Sequence, residues 1–204
     1  MKLSLIGMSG SGKSYWSARL GERGFKRFCC DDLIEQKLGQ ALIGPDGSPM
    51  EVGDWMGFPY EARYAERAAK YLDYEIEVLT EICDYLEHSD NDIVVDTTGS
   101  AIYTGEAMMT KLRQGTIMVH LSTPLAVQTQ MLRVYMMHQR PVLWNGFFQK
   151  VPGESNETAL ARCYPKLLAS REDLYLHYAD VVIDYHMRRS EGFDVDTFLD
   201  WVKR

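Results

Sequence analysis

Gly7-Met8-Ser9-Gly10-Ser11-Gly12-Lys13-Ser14 decides the fold. The stretch fills the pattern G-x-x-x-x-G-K-[ST] without a mismatch. Glycine has no Cβ, so successive backbone N–H groups can turn inward and form a concave nest around an anion. A helix beginning at the end of the loop adds the positive end of its dipole to the same anion. In that arrangement Lys13 meets the β- and γ-phosphates of a nucleotide and the Ser14 hydroxyl ligates Mg²⁺. Gly7, Gly10, Ser11, Gly12, Lys13, Ser14 and the following Tyr15 are therefore candidate nucleotide contacts. The bland alternative is a glycine-rich turn with an incidental lysine. It leaves the context unexplained, because a β-rich run, Lys2 to Ile6, precedes the loop and a helical stretch, Ser14 to Glu22, follows it.

Moving outward, apolar runs alternate with helical stretches. Phe25 to Cys30 reads as a second strand and Asp31 to Leu38 as a short helix ended by Gly39. Gly44 to Pro59 is dense in Gly and Pro and reads as an irregular excursion. A long helix is expected over Tyr60 to Glu87, then a strand, Asp92 to Asp96, ending in a carboxylate. Gly105 to Arg113 reads as helix and Thr116 to Leu121 as a fourth strand. Pro124 opens a helix that continues to Met137. Arg140 to Asn156 is a Gly/Asn-rich loop suited to a mobile lid. Glu157 to His177 is helical, Asp180 to Asp184 is a fifth strand, and an amphipathic helix follows Asp194. Alternation of this kind implies an α/β fold of three layers, the P-loop NTPase type: a five-stranded parallel sheet covered by helices, with a lid loop. The expected organisation is one domain over residues 1–204, and ligands bind beyond the carboxyl ends of the strands.

Composition narrows the function classes. The formal net charge of −7 disfavours nucleic acid and anionic membranes as partners. No apolar run approaches the roughly 18 residues of a membrane span, and the apolar N-terminus runs directly into glycines, so it reads as a buried strand. The cysteines, Cys29, Cys30, Cys83 and Cys163, form no CxxC pair and suit a reduced, cytoplasmic setting.

Other residues add to the nucleotide loop. Asp96 ends its strand as a Walker B carboxylate would, holding Mg²⁺, with a strand-end cap as the plain alternative. The small turn Thr97-Thr98-Gly99-Ser100 lets a substrate approach closely, or merely caps a helix. Asp31 and Asp32 follow the second strand side by side, so only one can face a ligand. The inward one could accept or orient the proton of an attacking hydroxyl, or the pair could cap a helix. Arg140 opens the lid and is placed to stabilise charge on a transferring phosphoryl group.

With these residues in place, the chain resembles the shikimate kinase family, within the nucleoside monophosphate kinase-like group. The resemblance covers the P-loop, Asp31 to Gly39, Tyr71 to Leu79, Ile93 to Ile102, Arg140 to Leu143 and Arg171 to Asp184. It implies Mg-ATP as cofactor and a hydroxyl on a small molecule as acceptor. It also implies that Lys13, Asp31 and Arg140 are catalytic, Asp31 contacting the acceptor hydroxyl and Arg140 reaching the phosphates. Arg133 would lie near the adenine, and Arg188 or Arg189 in the loop flanking it. Arg171, with Thr98, Gly99 and Ser100, would face the substrate, Arg171 binding a carboxylate.

The departures concern the acceptor. Cys29 stands where the family has an aspartate, and a thiol serves Mg²⁺ poorly. In place of the family's Phe-Arg-x-x-Glu pattern the chain reads Tyr71-Leu72-Asp73-Tyr74-Glu75, so an arginine against shikimate's carboxylate is missing. Thr98-Gly99-Ser100 replaces a triple glycine. These changes point to a polyol, sugar or other hydroxylated metabolite rather than shikimate. Two other readings compete: a nucleotide-binding regulatory module without catalysis, or a kinase whose acceptor is a nucleoside or nucleotide, with Trp55 and the tyrosines stacking on a base.

Overall fold

A computed structural model describes residues 1–137 and 140–203. Five strands, β1 (Lys2–Ile6), β2 (Lys26–Cys29), β3 (Ile93–Asp96), β4 (Ile117–Leu121) and β5 (Val181–Ile183), form one parallel sheet in the order β2-β3-β1-β4-β5. The central strands are apolar nearly throughout because both faces are covered, as parallel sheets require. Alternate residues go to opposite faces. Leu3, Leu5, Val94, Val119 and Leu121 pack on one side against Trp16, Leu20, Phe198 and Val202. Ile6, Ile93, Val95 and Met118 join the larger cluster on the other side, with Ile34, Val78, Ile82 and Leu167.

The helices are α1 (Lys13–Glu22), α2 (Cys30–Leu38), α3 (Val52–Met56), α4 (Tyr64–Glu87), α5 (Glu106–Gly115), α6 (Leu125–Met137), α7 (Asn156–Tyr178) and α8 (Val195–Val202). Local chemistry sets several boundaries. Asp194 caps α8, its side chain accepting from Thr197 N, and Ser155 caps α7 by accepting from Thr158 N.

Two segments differ from the sequence expectation. The long helix α4 starts at Tyr64 rather than Tyr60, because the Glu61 carboxylate accepts from Phe58 N and folds residues 58–61 into a turn. The excursion at 44–59 is partly regular. It holds α3, and Trp55 and Met56 are buried in the core. No helix among the described residues is long and apolar enough to cross a membrane.

Candidate active site

The loop after β1 turns as its glycines allow. Gly7 has φ +144°, and a Cβ there would lie 2.9 Å from the Leu121 carbonyl oxygen and 3.1 Å from Ser11 Oγ, so only glycine fits. Gly12, at φ +103°, is the N-cap of α1. Lys13 folds back over this loop, donating to Gly7 O at 2.9 Å and Met8 O at 3.1 Å. Burial pushes its ammonium pKa down, while Asp31 and Asp96 pull it back up. Ser14 is exposed at the cleft, and Tyr15 projects into solvent beside it.

The loop is braced from behind. Arg188 is buried and donates to Ser11 O at 3.0 Å, Ser122 O at 2.7 Å and Ile183 O at 2.8 Å. Burial, with Arg189 alongside, pushes its pKa down to about 10. Arg188 and Arg189 line a cavity with Ser11, Gly12, Tyr15, Trp16 and Phe193, on the outer side of the P-loop. His120, fully buried on β4, approaches the same loop, within 3.6 Å of where a Gly7 Cβ would be. Burial and the Arg188 charge push it down to about 4, so it is neutral at physiological pH. Sequence reading missed His120, since nothing local marks a strand histidine as lying beneath a P-loop.

On the opposite wall, Asp31 faces the cleft and Asp32 does not. This follows from the start of α2, where neighbouring residues diverge by about 100°. Tyr71 donates to Asp31 Oδ1 at 3.2 Å. The protein packed around Asp31 raises its pKa, with Lys13 opposing, which favours a proton-accepting role. Cys29 is outside the lining, its thiol pushed up to about 11 by burial.

Thr98, Gly99 and Ser100 form the floor and are held from below. Glu75 is fully buried; Thr98 Oγ1 donates to its Oε1, and Ser100 Oγ donates to its Oε2 at 2.8 Å. Burial raises this carboxyl to about 7, although both hydroxyls favour its ionised form. Tyr175 fixes the same turn by donating to Gly99 O at 2.6 Å. The glutamate of the Tyr71-Leu72-Asp73-Tyr74-Glu75 stretch was the available signal for this contact.

The cationic candidates separate. Arg140 lines the cleft and donates to Ser9 Oγ at 3.4 Å. Arg171 also lines it, buried, with its guanidinium 5.3 Å from the Tyr103 ring and Nη2 donating to Leu143 O at 2.8 Å. Arg133 is exposed on α6 and lines neither the cleft nor the cavity beside Arg188. Asp96 lies 2% exposed outside the cleft lining. Its Oδ2 accepts from Ser17 Oγ at 3.0 Å and Arg27 Nη2 at 3.1 Å, while Oδ1 is buried with no hydrogen-bond partner among the described residues. The expected lid is also more built-in than its Gly/Asn content suggests: Val142, Leu143 and Trp144 are buried.

Known structures share this architecture. Shikimate kinase from Acinetobacter baumannii, in complex with shikimate, aligns over 98% of this chain and 89% of its own, with TM-score 0.63 and 24% identity. Shikimate kinase from Aquifex aeolicus aligns over 100% and 96%, with TM-score 0.63 and 15% identity. The enzyme from Bacteroides thetaiotaomicron gives 98% and 94%, TM-score 0.61 and 18% identity. At these identities the likeness shows the fold. No curated protein sequence matches the chain. The family model for shikimate kinase, however, matches residues 64–203, well over half of the 204. The chain belongs to the shikimate kinase family of small-molecule kinases.

Proposed function

We propose that the protein transfers the γ-phosphoryl group of Mg-ATP to a hydroxyl of a small polyhydroxylated metabolite other than shikimate, as one cytoplasmic domain. The observation that carries this reading is the meeting of a P-loop, Asp31, Arg140 and Arg171 in a single cleft.

Gly7 to Ser14 and Lys13 would hold the triphosphate, with the Arg188 loop and Tyr15 toward the base. Bound Mg²⁺ would neutralise charge on the phosphates. The Ser14 hydroxyl and the unpartnered Asp96 Oδ1 suit such an ion, which ordinarily takes few protein ligands beside phosphate and water. Asp31 orients the acceptor hydroxyl and takes up its proton. Arg140 stabilises the charge on the transferring group.

The charge balance of the acceptor side supports a ligand without a carboxylate. Arg171 spends one donor on Leu143 O, and buried Glu75, which holds Thr98 and Ser100, adds negative charge to the same side of the cleft. Asp31 and Glu35 also line the cleft, while Leu72 supplies no cation. A carboxylate clamp that has lost one arginine weakens its ligand substantially when the partner charge is buried.

The test is calorimetric titration with Mg-ATP, followed by ADP release with shikimate, neutral cyclitols, sugars, an aminocyclitol and nucleosides. Stimulation by a hydroxylated compound lacking a carboxylate is the expected result. Stimulation by shikimate above all others would overturn the acceptor assignment, and absence of Mg-ATP binding would overturn the whole reading.

A further inference from the structure

One face of α4 reaches three separate parts of the cleft. Tyr64, Tyr71 and Glu75 are spaced by seven and four residues, which puts them within about 40° of one another around a helix of 3.6 residues per turn. Tyr71 holds Asp31, and Glu75 holds Thr98 and Ser100. Tyr64, at the helix start, holds the segment after Arg140. Its hydroxyl donates to Val142 O at 2.9 Å and accepts from Trp144 N at 2.8 Å. A single side chain therefore satisfies a carbonyl and an amide of the same short stretch.

That stretch determines where Arg140 goes. Pro141 restricts the backbone immediately after the arginine. Trp144 is 1% exposed and its indole donates to Tyr135 Oη at 3.2 Å. Arg171 takes the intervening carbonyl, Leu143 O. Arg140 itself is exposed, and its one hydrogen bond among the described residues is the 3.4 Å contact with Ser9 Oγ at the P-loop tip. Its reach toward the phosphates is thus set by backbone anchored to the acceptor wall.

We infer that Tyr64 is a positioning residue for Arg140, tying the arginine's register over the P-loop to the same rigid helix that places Asp31. The inference rests on the kinase reading above. Because α4 carries both attachments, the charge-stabilising group and the proton acceptor keep a common reference, and loosening the hydroxyl bridge displaces one relative to the other. Displacements of about 1 Å in a catalytic group can lower turnover as much as hundredfold.

The experiment is a double-mutant cycle with Tyr64→Phe, which keeps the ring and removes the bridge, and Arg140→Ala. Turnover is read as ADP release from Mg-ATP in a pooled mixture of shikimate, neutral cyclitols, sugars, an aminocyclitol and nucleosides, with Lys13→Ala as background. Tyr64→Phe is expected to lower kcat about tenfold while KM for ATP changes less than about threefold. In the Arg140→Ala background the same substitution should do nothing further, an effect that a purely structural role would not produce. Thermal melting of each variant checks that the fold is retained.

Unchanged kcat in Tyr64→Phe, or losses that multiply in the double variant, would overturn the inference while leaving the kinase reading intact. Wild-type ADP release no higher than the Lys13→Ala background would overturn the kinase reading, and the inference would fall with it.

Discussion

The Tyr71 hydroxyl donates to the Asp31 carboxylate at 3.2 Å, joining α4 to the group proposed to receive the acceptor proton. A base works in its ionised form, so activity falls as pH drops through its pKa. The Tyr71 hydrogen bond lowers that pKa against the raising effect of the surroundings. Tyr71→Phe should therefore move the acid limb of the kcat profile to higher pH, and Asp31→Asn should lower kcat about hundredfold or more. Stopped-time ADP assays across pH 5 to 9 read both effects, and an unmoved acid limb would remove Asp31 from the proton-transfer step.

Lys13 lies across its own loop on two carbonyls, and in the proposed reading nucleotide phosphate draws it off Gly7 O and Met8 O. Lys13→Ala should reduce turnover by roughly two to three orders of magnitude. Wild-type turnover in that variant would end the P-loop assignment.

Asp96 gives one oxygen to Arg27 and leaves the other without a hydrogen-bond partner among the described residues. Asp96→Asn retains the shape but weakens the ion pair with Arg27, so a lower melting temperature is expected from this partly buried contact. If Oδ1 also serves Mg²⁺, the magnesium midpoint for turnover should rise several-fold. A lowered melting temperature with an unchanged midpoint would assign Asp96 to Arg27 alone.

Glu75 gives a stability effect with a definite sign. Its pKa in the fold is about 7 against an ordinary 4.5. Between these values the native state keeps a proton that the unfolded chain has lost. Its contribution is therefore fully present below pH 4.5 and is lost as pH rises through 7. The loss is on the order of 3 kcal/mol. Urea unfolding at pH 5 and pH 8 should show this decline, and Glu75→Gln should flatten it. An equal slope in the variant would mean the carboxyl is not strained by its burial.

The parts legible in the sequence were those whose meaning is local. Gly7 to Ser14 could be read as the turn between β1 and α1 because a loop folded that tightly demands glycine at that spacing, and the parallel sheet followed from strands and helices in alternation. Asp31 could be placed at a strand end, and its orientation relative to Asp32 follows from α2. Glu75 carried a signal in its stretch but not its partners, and His120 and Tyr64 were not legible. Each acts on a partner distant in sequence, such as Ser100 for Glu75 and Val142 for Tyr64. Gly and Asn in the 140–156 loop suggested mobility, but the apolar Val142-Leu143-Trp144 stretch within it decided its packing. Arg133 was placed by resemblance, and nothing about its residue type marks which side of α6 it occupies.

The Arg188 brace joins positions 177 residues apart. The loop is complete at Ser14, yet its support comes from a residue far along the chain. A chain that does not reach Arg188 has the cradle without its strut. A variant cut before Arg188 is therefore expected to bind Mg-ATP more weakly in calorimetric titration, even though every P-loop residue survives, and equal affinity would show that the loop needs no such strut.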